Sequence, residues 1–367
     1  MRSFRKIAFL IEEFSLPSAM QPYASSAQQL LDRFLMGYPL HGTFHQYPKL
    51  EVAVHLMLGG NETDFGPRVK DFGLRVAATA EQAVERADAV VIVPRRSGAV
   101  ANDGFLRLAL EHAPSGAACF VHGVLSNSLA DARETLRLAA SRKIDVLAGT
   151  PLAVTWRLPE VDLIPGTPLS EALIVVQGAS PGAELHALDG LLPVLEKRRG
   201  GESGVSRVRF IEGNDVWRAG DKGLWSQSLL AAAISRSHSP QGDSVADGRT
   251  QDIHGLGLVP KLARNPRGWL LEHRDGLRSA LLVLDGVVAD FNFTVHAADG
   301  TMLSAQLFRA PLPMEQHYSR LVGAMENFFI GQTPPWKIER SLLTTALLET
   351  FRLPKARTGK WIAASFP

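Results

Sequence analysis

Short apolar runs alternate with helical patterns over the first 150 residues of the chain. The run at 89–93 is continuously apolar, which is typical of a central parallel strand covered on both faces. Between the runs, apolar residues recur at three- and four-residue spacing, as an amphipathic helix requires. The predicted strands of this half are 6–11, 51–58, 89–93, 118–121 and 145–149, and the predicted helices are 25–38, 79–87, 105–112 and a segment capped by Ser128. Repeated β-then-α units predict an α/β fold with a doubly wound parallel sheet.

The pattern changes after Pro151. Apolar and polar residues alternate strictly over 291–296, which predicts an antiparallel sheet with one buried and one polar face. Asp285-Gly286 and Asp299-Gly300 predict hairpin turns, and the polar segment 235–252 predicts a loop or lid. Further strands are predicted at 172–177, 205–212, 268–272, 279–284, 287–297 and 301–308, and helices at 185–198 and 314–329.

Two domains follow from this change of pattern. Residues 1–150 are predicted to form a Rossmann-like nucleotide-binding domain. Residues 151–367 are predicted to form an α+β domain with an open, mainly antiparallel sheet that binds substrate. The polar face of that sheet could pack against a second copy, so we expect a homo-oligomer formed through the C-terminal sheet.

Composition narrows the classes of function. Of 367 residues, 46% are hydrophobic, so the chain can bury large cores and is not disordered. Its 39 basic and 37 acidic residues nearly balance, which predicts no nucleic-acid partner. The single Cys119 cannot form an intrachain disulfide, and no apolar run approaches the roughly 20 residues that span a bilayer. We therefore expect a cytoplasmic protein without a membrane segment.

Loops at the carboxyl ends of parallel strands are where ligands bind in such sheets. They are 12–15, 59–61, 94–98 and 122–123. Arg95 and Arg96 either neutralise an anion there or form a solvated pair. Trp156-Arg157 either holds a sugar by stacking and hydrogen bonds or packs at the domain junction. The eleven histidines show no metal-ligand spacing, so no metal site is predicted.

Three segments, in their order along the chain, carry a family resemblance. They are the helix and strand of 129–149, the element His186-Ala187-Leu188-Asp189 after a strand, and the final helices of 321–348. In this order the chain resembles the Gfo/Idh/MocA family, the relatives of glucose–fructose oxidoreductase and inositol dehydrogenase. The resemblance implies a two-domain oxidoreductase that uses NAD or NADP on a sugar, a polyol or a related hydroxy-compound. It also implies assembly through the C-terminal sheet.

The chain departs from the family's pattern at four points. No glycine stands in 11–17, where the family carries a glycine-rich phosphate turn. No acid ends the second strand. After the strand 118–121, His122 stands where the family carries a lysine. Gly182 stands four residues before His186, where the family often carries an acid. Glu12 and Glu13 instead place negative charge after the first strand.

The resemblance implies a set of site residues. His186 would be the acid or base, Asp189 would orient its imidazole or simply complement the start of the helix, and His122 would replace the lysine or be a loop histidine. The loop residues implied for the cofactor are Glu13, Phe14, Ser15, Pro94, Arg95 and Ser97, and those for the substrate are Trp156 and Arg157. Two alternatives stay open. One is a non-redox lyase, hydrolase or isomerase acting on a sugar, and the other is a catalytically silent subunit that binds a sugar or an active homologue.

Overall fold

The computed structural model describes residues 4–15, 25–47, 49–57, 62–95, 99–178, 182–238, 252–311 and 315–364. The strands are β1 (Lys6–Ile11), β2 (Tyr38–Leu40), β3 (Thr43–His45), β4 (Glu51–Leu56), β5 (Arg75–Val76), β6 (Ala89–Val93), β7 (Ala118–His122), β8 (Asp145–Gly149), β9 (Arg157–Leu158), β10 (Leu169–Val176), β11 (Val205–Glu212), β12 (Arg264–His273), β13 (Arg278–Asp285), β14 (Phe291–Ala297), β15 (Met302–Leu307) and β16 (Ile362–Ala363). The helices are α1 (Ser26–Met36), α2 (Glu62–Phe72), α3 (Ala80–Val84), α4 (Asp103–His112), α5 (Leu129–Arg142), α6 (Ala183–Leu195), α7 (Asn214–Asp221), α8 (Gln227–Ile234), α9 (Val259–Leu262), α10 (His317–Phe329) and α11 (Ile338–Arg352).

The chain forms two compact units. Unit 1 comprises Met1–Val154 and Arg309–Thr345, and unit 2 comprises Thr155–Phe308 and Ala346–Pro367. Each unit contains one large sheet and its own buried apolar clusters. The predicted functional domains, 1–150 for nucleotide and 151–367 for substrate, stay a prediction.

Unit 1 contains a parallel sheet of six strands in the order β5-β4-β1-β6-β7-β8. The chain leaves β1 toward β4 on one side and returns to β6 on the other, so the topological switch point lies between β1 and β6. Helices α1 and α10 pack on one face, and α3, α4 and α5 pack on the other. The predicted doubly wound α/β sheet is confirmed.

Polar side chains start the helices of this unit where the sequence predicts. The hydroxyl of Thr79 accepts a hydrogen bond from the backbone N–H of Gln82 at 3.3 Å. The hydroxyl of Ser128 accepts one from the backbone N–H of Asp131 at 3.1 Å. These caps satisfy amides that have no carbonyl partner within the helix, which is why α3 and α5 begin at these residues.

Unit 2 contains a mixed, mainly antiparallel sheet in the order β16-β11-β12-β13-β10-β14-β15-β9. Only the β10–β13 pair is parallel among the described strands of this sheet. The predicted class of this sheet is confirmed, and Asp299-Gly300 joins the antiparallel pair β14–β15 as predicted. The hairpin predicted at Asp285-Gly286 is wrong, because β10 lies between β13 and β14. The turn itself is real, since Gly286 has a φ of 86°.

The polar face predicted for β14 is not open to solvent. Asn292 and Thr294 are both 0% exposed, because helix α8 packs over β10, β14 and β15 on that side. The opposite face of the sheet is covered by α6, where Leu307 and Ile174 meet the backbone at Gly190. Both faces of β14 are therefore covered within unit 2. Self-association through this sheet stays a prediction, but β14 itself offers no open face for it.

Hydrogen bonds pair the buried side-chain amide of Asn292 on β14, whereas the hydroxyl of Thr294 has no hydrogen-bond partner among the described residues. The carboxylate of Asp290 accepts hydrogen bonds from the side-chain amides of Asn292 and Gln306, each at 2.6 Å, and from the hydroxyl of Ser237 at 3.0 Å. Polar groups can be buried at low cost when they are paired in this way. Most of the lid predicted over 235–252 lies outside the described residues.

Candidate functional site

A carboxylate occupies the switch point of the parallel sheet. Glu12, the first residue after β1, accepts a hydrogen bond from the backbone N–H of Arg95 at 2.7 Å. Its other oxygen accepts one from the side-chain amide of Asn102, also at 2.7 Å. Asn102 in turn caps α4 by accepting from the N–H of Phe105 at 2.9 Å. Glu12 therefore links the end of β1, the loop after β6 and the start of α4.

Aromatic packing fills the turn that follows Glu12. Phe14 is buried against Phe65, with 4.7 Å between the ring centroids. The guanidinium of Arg68 lies 5.3 Å from the centroid of the Phe14 ring and is held by both oxygens of Asp32, at 2.6 and 2.7 Å. Ser15 is tied to the start of α1, because its N–H donates to the hydroxyl of Ser25 at 3.3 Å.

These residues do not form the phosphate cradle that a nicotinamide dinucleotide needs. A glycine-rich turn lets backbone amides approach a pyrophosphate, whereas side chains of Glu12 and Phe14 occupy the described part of this turn. Glu13 is exposed, Pro94 is buried, and the amide of Arg95 already binds Glu12. Ser97 lies outside the described residues. The described part of this edge thus does not fit a diphosphate bound in the usual way.

His122 lies at the carboxyl end of β7 and is 1% exposed. Burial lowers the pKa of its imidazole to about 4, so the ring is neutral near pH 7. Within the described part of the chain, neither ring nitrogen has a hydrogen-bond partner. The ring stacks on Tyr318, with 6.2 Å between centroids, and the Tyr318 hydroxyl is hydrogen-bonded to Ser26 at 2.8 Å. His122 is thus buried at the end of β7 against Tyr318 of α10, and Ser26 of α1 holds that tyrosine in place.

A second polar cluster near α10 has no signal in the sequence. Arg33 of α1 is 9% exposed and donates from Nε to the hydroxyl of Ser319 at 3.1 Å. Gln29, one turn earlier, donates to the carboxylate of Glu315 at 2.8 Å. Burial raises the pKa of Glu315, while Arg309 and Arg33 oppose that rise. The cluster joins two segments that are almost 300 residues apart, which local pattern cannot reveal.

His186 lies in the first turn of α6, after Gly182 starts the helix with a φ of 83°. Its imidazole is half-buried and meets the ring of Phe291 edge-on, at 5.8 Å between centroids. Asp189 follows one turn later and is 3% exposed. Glu184 forms an ion pair with Arg267 of β12 at 3.2 Å, and sequence reasoning missed that arginine. The start of α6 thus combines an imidazole with a fixed ion pair.

The guanidinium of Arg157 reaches the same face of β14 as His186. It pairs with Asp162 and lies 5.7 Å from the ring centroid of Phe293. Phe291 and Phe293 are two residues apart on one strand, so their side chains point to one face. Trp156 packs edge-on against Phe308, at 6.4 Å between centroids, as it would in a packing role. His186 and Arg157 are therefore predicted site residues of unit 2 that share a face of its sheet.

No group of three or more His, Cys, Asp or Glu side chains is placed to hold a metal ion in the described residues. Among the same residues, no helix combines the length and the apolar character needed to cross a membrane.

Comparison with known proteins finds similarity in structure alone. No protein-family model and no curated protein matches the sequence. Scyllo-inositol dehydrogenase from Lactobacillus casei, solved with NAD(H) and scyllo-inositol, is similar with a TM-score of 0.58 and 12% identity, over 99% of each chain. Myo-inositol 2-dehydrogenase from Lactobacillus plantarum gives a TM-score of 0.58 and 10% identity, over 98% of this chain and 99% of the other.

Biliverdin reductase from Synechocystis sp. PCC 6803, solved with biliverdin and NADP+, is similar with a TM-score of 0.53 and 11% identity, over 94% of this chain and 97% of the other. At these identities the similarity establishes the fold. The resemblance to inositol-dehydrogenase-type proteins is thereby confirmed at the level of the fold.

Proposed function

We propose that this chain is a cytoplasmic oxidoreductase of the Gfo/Idh/MocA type that acts on a sugar, a polyol or a related hydroxy-compound, with NAD or NADP as its acceptor. One observation carries the proposal, namely a fold shared over nearly the full length of both chains with inositol dehydrogenases. We also propose that the chain assembles into a homo-oligomer and that it has no nucleic-acid partner.

His186 is the acid or base of this proposal. A neutral imidazole within hydrogen-bond reach of a substrate hydroxyl can accept its proton, as oxidation of an alcohol requires. The edge of Phe291 supports one side of the ring and so restricts its orientation. Asp189, one helical turn away, would further orient the imidazole. The guanidinium of Arg157 lies on the same face of β14 and would bind substrate oxygens. To do so it would give up part of its ion pair with Asp162.

The contacts of Glu12 favour a second candidate function. A carboxylate that binds Arg95 and Asn102 at the switch point opposes a diphosphate there. The second candidate is a non-redox enzyme, a lyase or an isomerase, that acts on a sugar. His186 would then move a proton at a carbon next to a carbonyl group, and no acceptor of electrons would be needed.

Calorimetric titration of the purified chain with NAD+, NADH, NADP+ and NADPH tests the first candidate. We expect at least one of the four to bind, and a folded sample that binds none would exclude it. Turnover of a sugar or polyol panel is then measured with and without nucleotide. Turnover that persists without nucleotide would support the second candidate.

A pair of histidine variants locates the proton transfer. His186→Ala is expected to lower kcat by roughly 10²–10⁴-fold, which is the usual contribution of a general base. His112→Ala, on the exposed end of α4, is the matched control and should retain full activity. Equal activity of both variants would remove His186 from the mechanism.

A further inference from the structure

We infer that Glu12 is a determinant of ligand choice, because its carboxylate acts as an internal anion that competes with a diphosphate at the switch point. The inference rests on the proposed site at the carboxyl edge of the parallel sheet. It assigns to Glu12 the role of selecting which ligands bind at that site.

The hydrogen bonds of Glu12 show what it displaces. Its two oxygens are each 2.7 Å from a donor, the backbone N–H of Arg95 and the side-chain amide of Asn102. Both donors follow β6, Arg95 in the loop after the strand and Asn102 at the start of α4, and Glu12 brings them to the switch point between β1 and β6, where ligands of this class of sheet bind. An anionic ligand needs such donors. Here the protein's own carboxylate already uses them.

Charge adds to this competition. A phosphate that approached the Arg95 amide would come within a few ångströms of the Glu12 carboxylate, and two negative charges at that distance repel each other strongly outside bulk water. The guanidinium of Arg68 does not offset this repulsion, because it is paired with Asp32 and lies over the ring of Phe14. The natural chain should therefore bind a diphosphate more weakly at this position than a chain without the Glu12 carboxylate would.

The neighbouring Glu13 provides a matched comparison. Glu13 carries the same charge one residue later, but it is exposed and so is screened by solvent. If negative charge in general weakens nucleotide binding, neutralising either residue should strengthen it. If the weakening depends on the hydrogen-bonded position of the carboxylate, only substitution of Glu12 should strengthen binding.

The test measures the dissociation constants of NADH and NADPH by calorimetry for the natural chain, Glu12→Gln, Glu12→Gly and Glu13→Gln. Circular dichroism and thermal melting check that each variant is folded. We expect Glu12→Gln and Glu12→Gly to bind at least one of the nucleotides roughly tenfold more tightly than the natural chain, since both lose the repulsion and release a donor. Glu13→Gln should stay within about twofold of the natural chain.

The outcomes separate this inference from the proposed function. If the natural chain binds a nucleotide and neither Glu12 variant binds more tightly, the inference fails and the proposed oxidoreductase stands. If only the Glu12 variants bind, the inference stands and the natural chain is not a nicotinamide-dependent enzyme. Equal gains at Glu12 and Glu13, or no binding by any folded variant, would overturn the inference.

Discussion

His122 combines deep burial with two ring nitrogens that have no hydrogen-bond partner among the described residues. An unsatisfied buried polar group costs about 1–3 kcal/mol of stability. His122→Phe would keep the stacking on Tyr318 and remove that cost. We therefore expect the variant to raise the free energy of unfolding by about 1–3 kcal/mol in urea titrations.

A matched variant tests whether this gain comes from burial. His112→Phe changes an exposed histidine and should leave the free energy of unfolding within about 0.5 kcal/mol. A loss of stability in His122→Phe would show that the imidazole makes a favourable contact. A gain of stability together with a loss of activity would show that the buried imidazole serves function at the expense of stability.

The same residue predicts a dependence of stability on pH. The pKa of His122 is about 4 in the folded chain and about 6.5 when unfolded, so the unfolded chain binds the proton first as pH falls. Stability should therefore decrease from about pH 6.5 to about pH 4, by up to about 3 kcal/mol. Urea titrations across this range should show a smaller decrease in His122→Phe. Equal slopes in the two proteins would contradict the prediction.

At the scale of elements, an ion-pair cluster connects the end of α6 to the turn between β12 and β13. Arg198 donates to Asp275 at 2.7 Å and to Glu202 at 3.1 Å. Burial by itself raises the pKa of Glu202, but hydrogen bonds from His273 and Arg198 outweigh it and lower this pKa to about 2. Arg198, which stands between Lys197 and Arg199, thus has a structural role.

Arg198→Ala should cost about 1–3 kcal/mol of stability, because it removes the buried charged donor that pairs with the half-buried Glu202 and the exposed Asp275. Arg199→Ala, at the exposed neighbour, should change stability by less than about 0.5 kcal/mol. Both values can be measured by chemical denaturation. Similar losses in the two variants would mean that the cluster contributes little.

Local pattern predicts the main strands of both sheets, but it misses α2, α7 and α8. The strands β1, β6, β8 and β11 have the predicted bounds, because apolar runs between polar turns depend only on neighbouring residues. β14 begins at Phe291 rather than at 287, and Asp285-Gly286 does not form a hairpin. Both errors have one cause: the insertion of β10 between β13 and β14 is a long-range pairing that local turn signals cannot encode.

At the scale of the whole molecule, the predicted property is self-association. Light scattering at micromolar concentration should give a mass of at least two chains, as the family resemblance implies. Helix α8 covers β14, so the interface should not depend on Asn292 and Thr294. A monomer mass over the full concentration range would refute the prediction.

The sequence by itself determined the two kinds of sheet, the bounds of several strands and the loops at the carboxyl edge, because periodicity and capping act over a few residues. It also showed that the glycine turn and the lysine are missing. Only the tertiary structure decided that Glu12 binds Arg95 and Asn102, that His122 is buried and neutral, and that β14 is covered on both faces. These properties depend on contacts between segments far apart in sequence, where burial and pairing override local pattern.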